Sequence, residues 1–218
     1  MSDTHHPIEH TLTVVGNGKV TAEPDVARIL FQVGGERFDA LAKARTDAAT
    51  RMLRCIAALT AAGIADRDRR TGAFVAGPEL EWRKGRQETV GYAVRSVIRV
   101  TVRDLSAAGE LIDAVMAAGA SSLSGPSFEV EDDAAIRIAA QTAAVRDARA
   151  GADAQAAALG ITITGVASVS PADGGGFAPQ PIYRMAAMAM DAGAAPETPI
   201  EAGTVDVTAS VQVTFLIT

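Results

Sequence analysis

The closing stretch "TVDVTASVQVTFLI", residues 204–217, alternates without a break. Val205, Val207, Ala209, Val211, Val213, Phe215 and Ile217 share one side, and Thr204, Asp206, Thr208, Ser210, Gln212 and Thr214 share the other. A period of two over so long a run is a strand with one dry and one wet face. Antiparallel sheets tolerate a wet face and parallel sheets do not, so the fold must supply an antiparallel sheet with cover on one side.

The same period recurs upstream. "TLTVV" (11–15) reads as a strand, and so does "PDVARILFQV", where Ala27, Ile29, Phe31 and Val33 share a face. In "VGYAVRSVIRVTVR", Tyr92, Val94, Ile98, Val100 and Val102 point one way, with Arg95, Arg99 and Arg103 opposite. "ELEWRKGRQE" before it predicts a hairpin connection around Gly85. "LSGPSFEV" and "ITITGVASV" are further strands.

Three segments change to helical spacing. Over 38–62 the inward stripe is predicted as Phe38, Leu41, Ala48, Met52, Ile56 and Leu59, with Gly63 as the stop. Asp104 caps a short helix with Leu105, Ala108, Leu111, Ile112, Val115 and Met116 inward, ended by Gly119. Asp132 and Asp133 open a long alanine-rich helix that runs to Leu159 and stops at Gly160. Aromatics are only 4% of a chain that is 48% hydrophobic, so the core must be Val, Ile, Leu and Ala with backbones in close approach. The expected class is α+β: a mostly antiparallel sheet of about six to eight strands with three helices on one face. A long Gly/Pro/Met-rich loop precedes the last strand.

"TVVGNGKVTAEPD", residues 13–25, raises a nucleotide site and then excludes it. Val20 follows Lys19 where a phosphate loop needs Ser or Thr, position 21 is Thr where a dinucleotide fingerprint needs Gly, and a strand follows instead of a helix. Gly16 and Gly18 are read instead as a bulge or tight turn between two strands.

These blocks together carry a resemblance. "VVGNGKVTAEPDVARILFQV", "ALTAAGIADRDRRTGAF", "VGYAVRSVIRVTVRDL", "FEVED" and "TPIEAGTVDVTASVQVTF" look like the SIMPL-domain family, that of the periplasmic immunogenic proteins and the YggE-type stress proteins. They lie in family order from Thr11 onward. The resemblance implies one α+β domain over 11–218 after a disordered tail of 1–10. It also implies assembly into ring or channel-like homo-oligomers and an association with oxidative or envelope stress. It supplies no catalytic residues.

The residues themselves point away from catalysis. His5, His6 and His10 all lie in the N-terminal tail, far from any candidate base position in the body. Cys55, the single cysteine, sits mid-helix as a buried thiol and can form no internal disulfide. No cofactor and no metal site is expected. The tail set His5, His6, Glu9 and His10 reads as an unfixed terminus, and "EVEDD" (Glu129, Glu131, Asp132, Asp133) as helix-start acids. Glu79, Glu81 and Glu129 are the carboxylates an enzyme reading would need.

A net charge of −6 and a pI near 5.1 argue against nucleic acid as a partner. No apolar run reaches the ~20 residues of a membrane helix. The polar start "MSDTHHPIEH" has no signal-like apolar core, so the expected compartment is the cytoplasm, with the periplasm as the alternative if a leader has been trimmed.

Two sets of contact candidates remain. Residues 172–203 form the long loop, in which Ile182, Tyr183, Met185, Met188 and Met190 are candidates for an arm that packs on a neighbouring subunit. A mobile loop, an oxidant-sensitive Met cluster, a thioether copper site and a lid over a small ligand are its other readings. Arg95, Arg99 and Arg103 are candidates for contact with an anion or a partner chain, or else a solvated face paired with nearby acids. The expected function is that of a non-enzymatic homo-oligomer whose subunits meet through sheet edges and this arm. A small-ligand or metal-binding module is the alternative.

Overall fold

The computed structural model describes residues 10–172 and 201–218. The elements run β1 (Thr11–Ala22), β2 (Val26–Gly34), α1 (Leu41–Ala61), β3 (Arg69–Arg83), β4 (Arg86–Val102), α2 (Ala108–Ala118), β5 (Ala120–Glu129), α3 (Ala134–Leu159), β6 (Ile163–Pro171) and β7 (Val205–Ile217). The α+β class holds, with antiparallel pairing throughout and three helices among the described residues. The strands fall into two sheets, β1-β7-β6 and β3-β4-β2-β5. Each sheet belongs to its own compact unit, and the chain passes between the units at Glu23/Pro24 and at Glu129/Val130.

In the first unit, β7 is the central strand, with the dry face read from its alternation: Val205, Val207, Ala209, Val213 and Phe215 are buried. Helix α3 lies on that face. Its buried residues are Ala140, Ala144, Ala148, Ala152 and Ala156, one every fourth position. That spacing gives a stripe of methyl groups along one side of the helix.

Gly16 and Gly18 are not at a turn or a bulge, contrary to the sequence expectation. They lie inside the unbroken strand β1, opposite Val211 and Ala209. A Cβ on Gly16 would come within 2.2 Å of the Ala144 carbonyl oxygen, and one on Gly18 within 2.0 Å of that of Ala140. The glycines are there because the alanine stripe sits directly on the strand backbone, where no side chain fits.

In the second unit, Ala27, Ile29, Phe31 and Val33 of β2 and Val94, Ile98, Val100 and Val102 of β4 are buried as their alternation predicts. The β3–β4 hairpin closes through Lys84 and Gly85, both at positive φ, the signature of a two-residue turn. Helix α1 buries Ala48 and Leu59 as predicted, but the rest of its stripe is shifted from the predicted one. Ala44, Ala48, Cys55 and Leu59 are inside, while Leu41 is exposed and Met52 and Ile56 are half-buried. Ala44 and Ala48 pack on Val94, with Phe38 beside them. Small residues let the helix approach the sheet, and that outweighs the larger side chains the periodicity favoured.

Asp104 accepts a hydrogen bond from the Ser106 amide at 3.2 Å and so caps the 3-10 turn that leads into α2. Gly119 and Gly160 close α2 and α3 at positive φ.

Candidate functional site

The arginine row on β4 is the first candidate surface. All three side chains are on the solvent side of the sheet, as predicted, but they are not equivalent. Arg95 donates to Glu79 of β3 at 2.6 Å, and that bond holds the Glu79 carboxyl below the usual carboxylate range. Arg103 pairs with Asp68 at 2.5 Å. Arg99 is exposed, and no carboxylate pairs with it among the described residues. The row is therefore two internal ion pairs flanking one arginine that makes none.

The carboxylates an enzyme would need are likewise engaged. Glu81 accepts from Arg83 at 2.9 Å and from Arg37 at 2.6 Å, bonds that hold it below the usual range, and Glu129 accepts from Arg28 at 2.6 Å. A carboxyl held down in this way stays ionised at neutral pH and is unsuited to act as a general acid. Asp133, at the start of α3, bridges to Arg137 at 2.5 Å. No group of three His, Cys, Asp or Glu side chains among the described residues is placed to hold a metal ion. Cys55 is 0% exposed, and burial pushes its thiol up, away from the reactive thiolate.

The arm candidates Ile182, Tyr183, Met185, Met188 and Met190 lie outside the described residues, as do His5, His6 and Glu9.

Two features escaped the sequence reading. One is a cleft of about 730 Å³ in the second unit, between the end of α1, the 66–68 turn, the end of β4 and the start of α2. Ala58, Ala62, Ile64, Leu111 and Ala114 form its apolar wall, and Asp68, Arg103 and Glu110 its polar parts. Its walls come from two stretches distant in sequence, residues 58–68 and 101–114, so no local motif announces it.

The other is an apolar stripe on β3. Phe74, Leu80 and Trp82 are 61%, 51% and 72% exposed. Phe74 lies opposite Ser96 and Ala76 opposite Val94, so strand alternation places Phe74, Ala76, Pro78, Leu80 and Trp82 on the helix-covered face of the sheet. The stripe continues that face outward along the hairpin into solvent. "FVAGPELEW" alternates, and that signal was legible; the sequence reading assigned "ELEW" to a polar connection because its charges alternate with the apolar residues.

β3 is an edge strand, and Pro78 guards its edge. Tyr92, opposite Pro78, exchanges both its backbone hydrogen bonds with Phe38 on the other side, at 2.8 and 2.9 Å. The backbone of Pro78 therefore faces the open edge and offers no N–H to an added strand.

The SIMPL family, described as "Protein of unknown function (DUF541)", matches residues 12–215. The chain is 30% identical to "Uncharacterized protein YggE" of Edwardsiella ictaluri (strain 93-146) over 179 residues, 81% of this chain and 74% of the relative. It is also 30% identical over 211 residues to the "26 kDa periplasmic immunogenic protein" of Brucella melitensis biotype 1 and to that of Brucella abortus (strain S19). Those matches cover 94% of this chain and 83% of each relative. The word periplasmic in these names overturns the expected cytoplasmic location. A leader peptide lies outside the folded body, so residues packed for folding carry no mark of the compartment. No helix among the described residues is long and apolar enough to cross a membrane. With its sequence matched from Leu12 to Phe215, this chain belongs to the SIMPL family.

Proposed function

We propose that the protein works without catalysis, as a self-assembling component of the bacterial envelope. The observation that carries this reading is the stripe of Phe74, Leu80 and Trp82, exposed together on one face of the β3–β4 hairpin. Large apolar side chains grouped on a surface mark a place where another protein sits. The Pro78 edge directs that contact to the side-chain face of the hairpin and away from strand addition, which refines the expectation of assembly through sheet edges. The envelope setting rests on the names of the relatives. The stress association rests on the family resemblance alone.

Trp82 is the single tryptophan of the chain and so reports directly on the surface in question. Light scattering across micromolar concentrations should give a discrete mass that is a multiple of 22.4 kDa, with blue-shifted Trp82 emission that moves to the red on dilution. Serine at Phe74 and Leu80 together should break the assembly while leaving the circular dichroism unchanged. A monomer at every concentration would end this reading.

A second reading, a small-ligand module, is favoured by the alanine-walled cleft beside Asp68 and Arg103, whose volume suits a small organic molecule. Thermal shift against a ligand panel, compared between the parent and an Ala62→Phe variant that fills the cleft, tests it.

A further inference from the structure

On the opposite face of β3 from the apolar stripe, the ladder holds an arrangement that ordinary sheet chemistry avoids. Arg70 of β3 lies directly opposite Arg99 of β4. Like charges at directly opposed positions of an antiparallel pair destabilise it. Elsewhere on this face the sheet neutralises its arginines: Arg95 with Glu79, Arg103 with Asp68, Arg28 with Glu129. Arg70 and Arg99 are both exposed, and neither is paired with a carboxylate among the described residues.

The backbone beside them is irregular. Thr71 pairs with Ile98 and Phe74 with Ser96, so the register slips and Gly72 and Ala73 have no ladder partner. Bulges of this kind break the ladder locally and recur next to functional sites. Gly72 also leaves the space beside Arg99 open: a Cβ there would stand 3.4 Å from the Arg99 Nε. Two guanidinium groups thus flank a bare, bulged stretch of backbone. Each guanidinium carries parallel N–H donors that match an oxyanion, and the bare glycine leaves room for one beside Arg99.

We propose that Arg70, Arg99 and the Gly72–Ala73 bulge form a binding site for a phosphate- or sulfate-type oxyanion. The anion supplies the negative charge that the sheet omits at this one point of the arginine face. This site is independent of assembly through Phe74, Leu80 and Trp82, which point to the other side of the strand.

The test uses the full chain and inorganic phosphate, against chloride at equal ionic strength so that screening is matched. Phosphate should raise the melting temperature of the parent and of the Arg95→Gln control more than chloride does. In Arg99→Gln and in Arg70→Gln that extra shift should vanish, with affinity down roughly ten-fold or more, the usual loss for a charge-assisted hydrogen bond. Arg99→Gln should also melt higher than the parent at low salt without phosphate, because the cross-strand repulsion is gone. Broadening of the phosphate 31P signal by the parent, and its absence with Arg70→Gln, gives a second readout that does not depend on unfolding. Vesicles then separate the sources of the oxyanion. Arg99-dependent binding to phosphatidylglycerol over phosphatidylcholine vesicles assigns the site to a lipid headgroup, and phosphate binding with no vesicle binding assigns it to a soluble ligand. No phosphate effect in the parent beyond that of chloride, or an undiminished effect in Arg99→Gln, overturns the proposal.

Discussion

The two units solve the same problem, a helix on a sheet, in opposite ways. In the first, α3 lays five buried alanines on a strand that carries glycine at Gly16 and Gly18. In the second, the sheet presents Ile29, Phe31, Val33, Val94 and Val100, all fully or almost fully buried. One interface is made by removing side chains on both partners until backbones meet; in the other the helix again brings alanines, Ala44 and Ala48, but the sheet meets it with large side chains. Close backbone contact gains many weak dispersion contacts but leaves nothing that can move aside. A filled core is sensitive to missing atoms and the bare interface to added ones. The difference can be broken from either side by single substitutions.

The largest effect should come from emptying the filled core. Phe31→Ala removes a ring that is 0% exposed and should cost about 3–5 kcal/mol, read as a lower urea midpoint at unchanged slope. Cys55 lies in the same unit and gives an independent signal. Burial raises its thiol, so it should react with a thiol reagent only through opening, and Phe31→Ala should speed that labelling in step with the lost stability. The raised value also sets a pH dependence. The thiol's contribution is complete below the ordinary thiol range and is lost as pH climbs through the raised folded value, so this unit should weaken on the alkaline side.

The next effect tests the bare interface. Gly18→Ala adds one methyl where 2.0 Å separates it from a backbone oxygen, which cannot rotate away. The expected cost is about 1–3 kcal/mol, toward the upper end because the obstacle is backbone. Gly77→Ala is the matched control: it is also inside a strand, but a Cβ there meets nothing within 4 Å. It should change the urea midpoint little. Equal losses at both positions would show that strand propensity, not contact with α3, governs these glycines.

This contrast also explains what could be read from the sequence. Strands with one dry face announced themselves by alternation, and β2, β4 and β7 bury most of the residues their period names, with Tyr92, Val211 and Ile217 half-buried. The helix faces were harder. A periodicity weighted by size favoured Leu41, Met52 and Ile56 beside Ala48 and Leu59 on α1, while the structure buries Ala44 and Cys55 with Ala48 and Leu59. Alanine carries little hydrophobic signal, yet it decides where backbones come together. Gly16 and Gly18 were misread for the same reason: a glycine kept for closeness and a glycine kept for turning look alike until the helix above it is placed. The candidate surfaces followed suit. Arg95, Arg99 and Arg103 were legible as a row, but which of them finds an acid depends on Glu79, Asp68 and Arg70, brought to them by the hairpin register and the turn before it. The cleft, built from two separated stretches, left no local trace.

The smallest expected effect concerns how each unit protects a sheet edge. β3 uses Pro78, which has no amide to offer. β1, the edge strand of the first sheet, keeps an ordinary backbone and covers it from above: the Asn17 amide donates to Asp147 of α3 at 2.9 Å. Asp147 adjoins Ala148, whose methyl would meet a Cβ on Gly16, so the bond exists because the helix sits so close. Asp147→Ala should cost about 1 kcal/mol, the usual net worth of one such bond, and Asp147→Asn less, since it keeps an acceptor. The decisive measurement is amide exchange at Asn17. It should accelerate in Asp147→Ala more than exchange at Val14 and Val20 on the same strand. If all three accelerate equally, the carboxylate supports the helix and not the edge. If Asn17 alone responds, close packing and edge protection in this unit are one device: a helix near enough to touch the strand is near enough to close it.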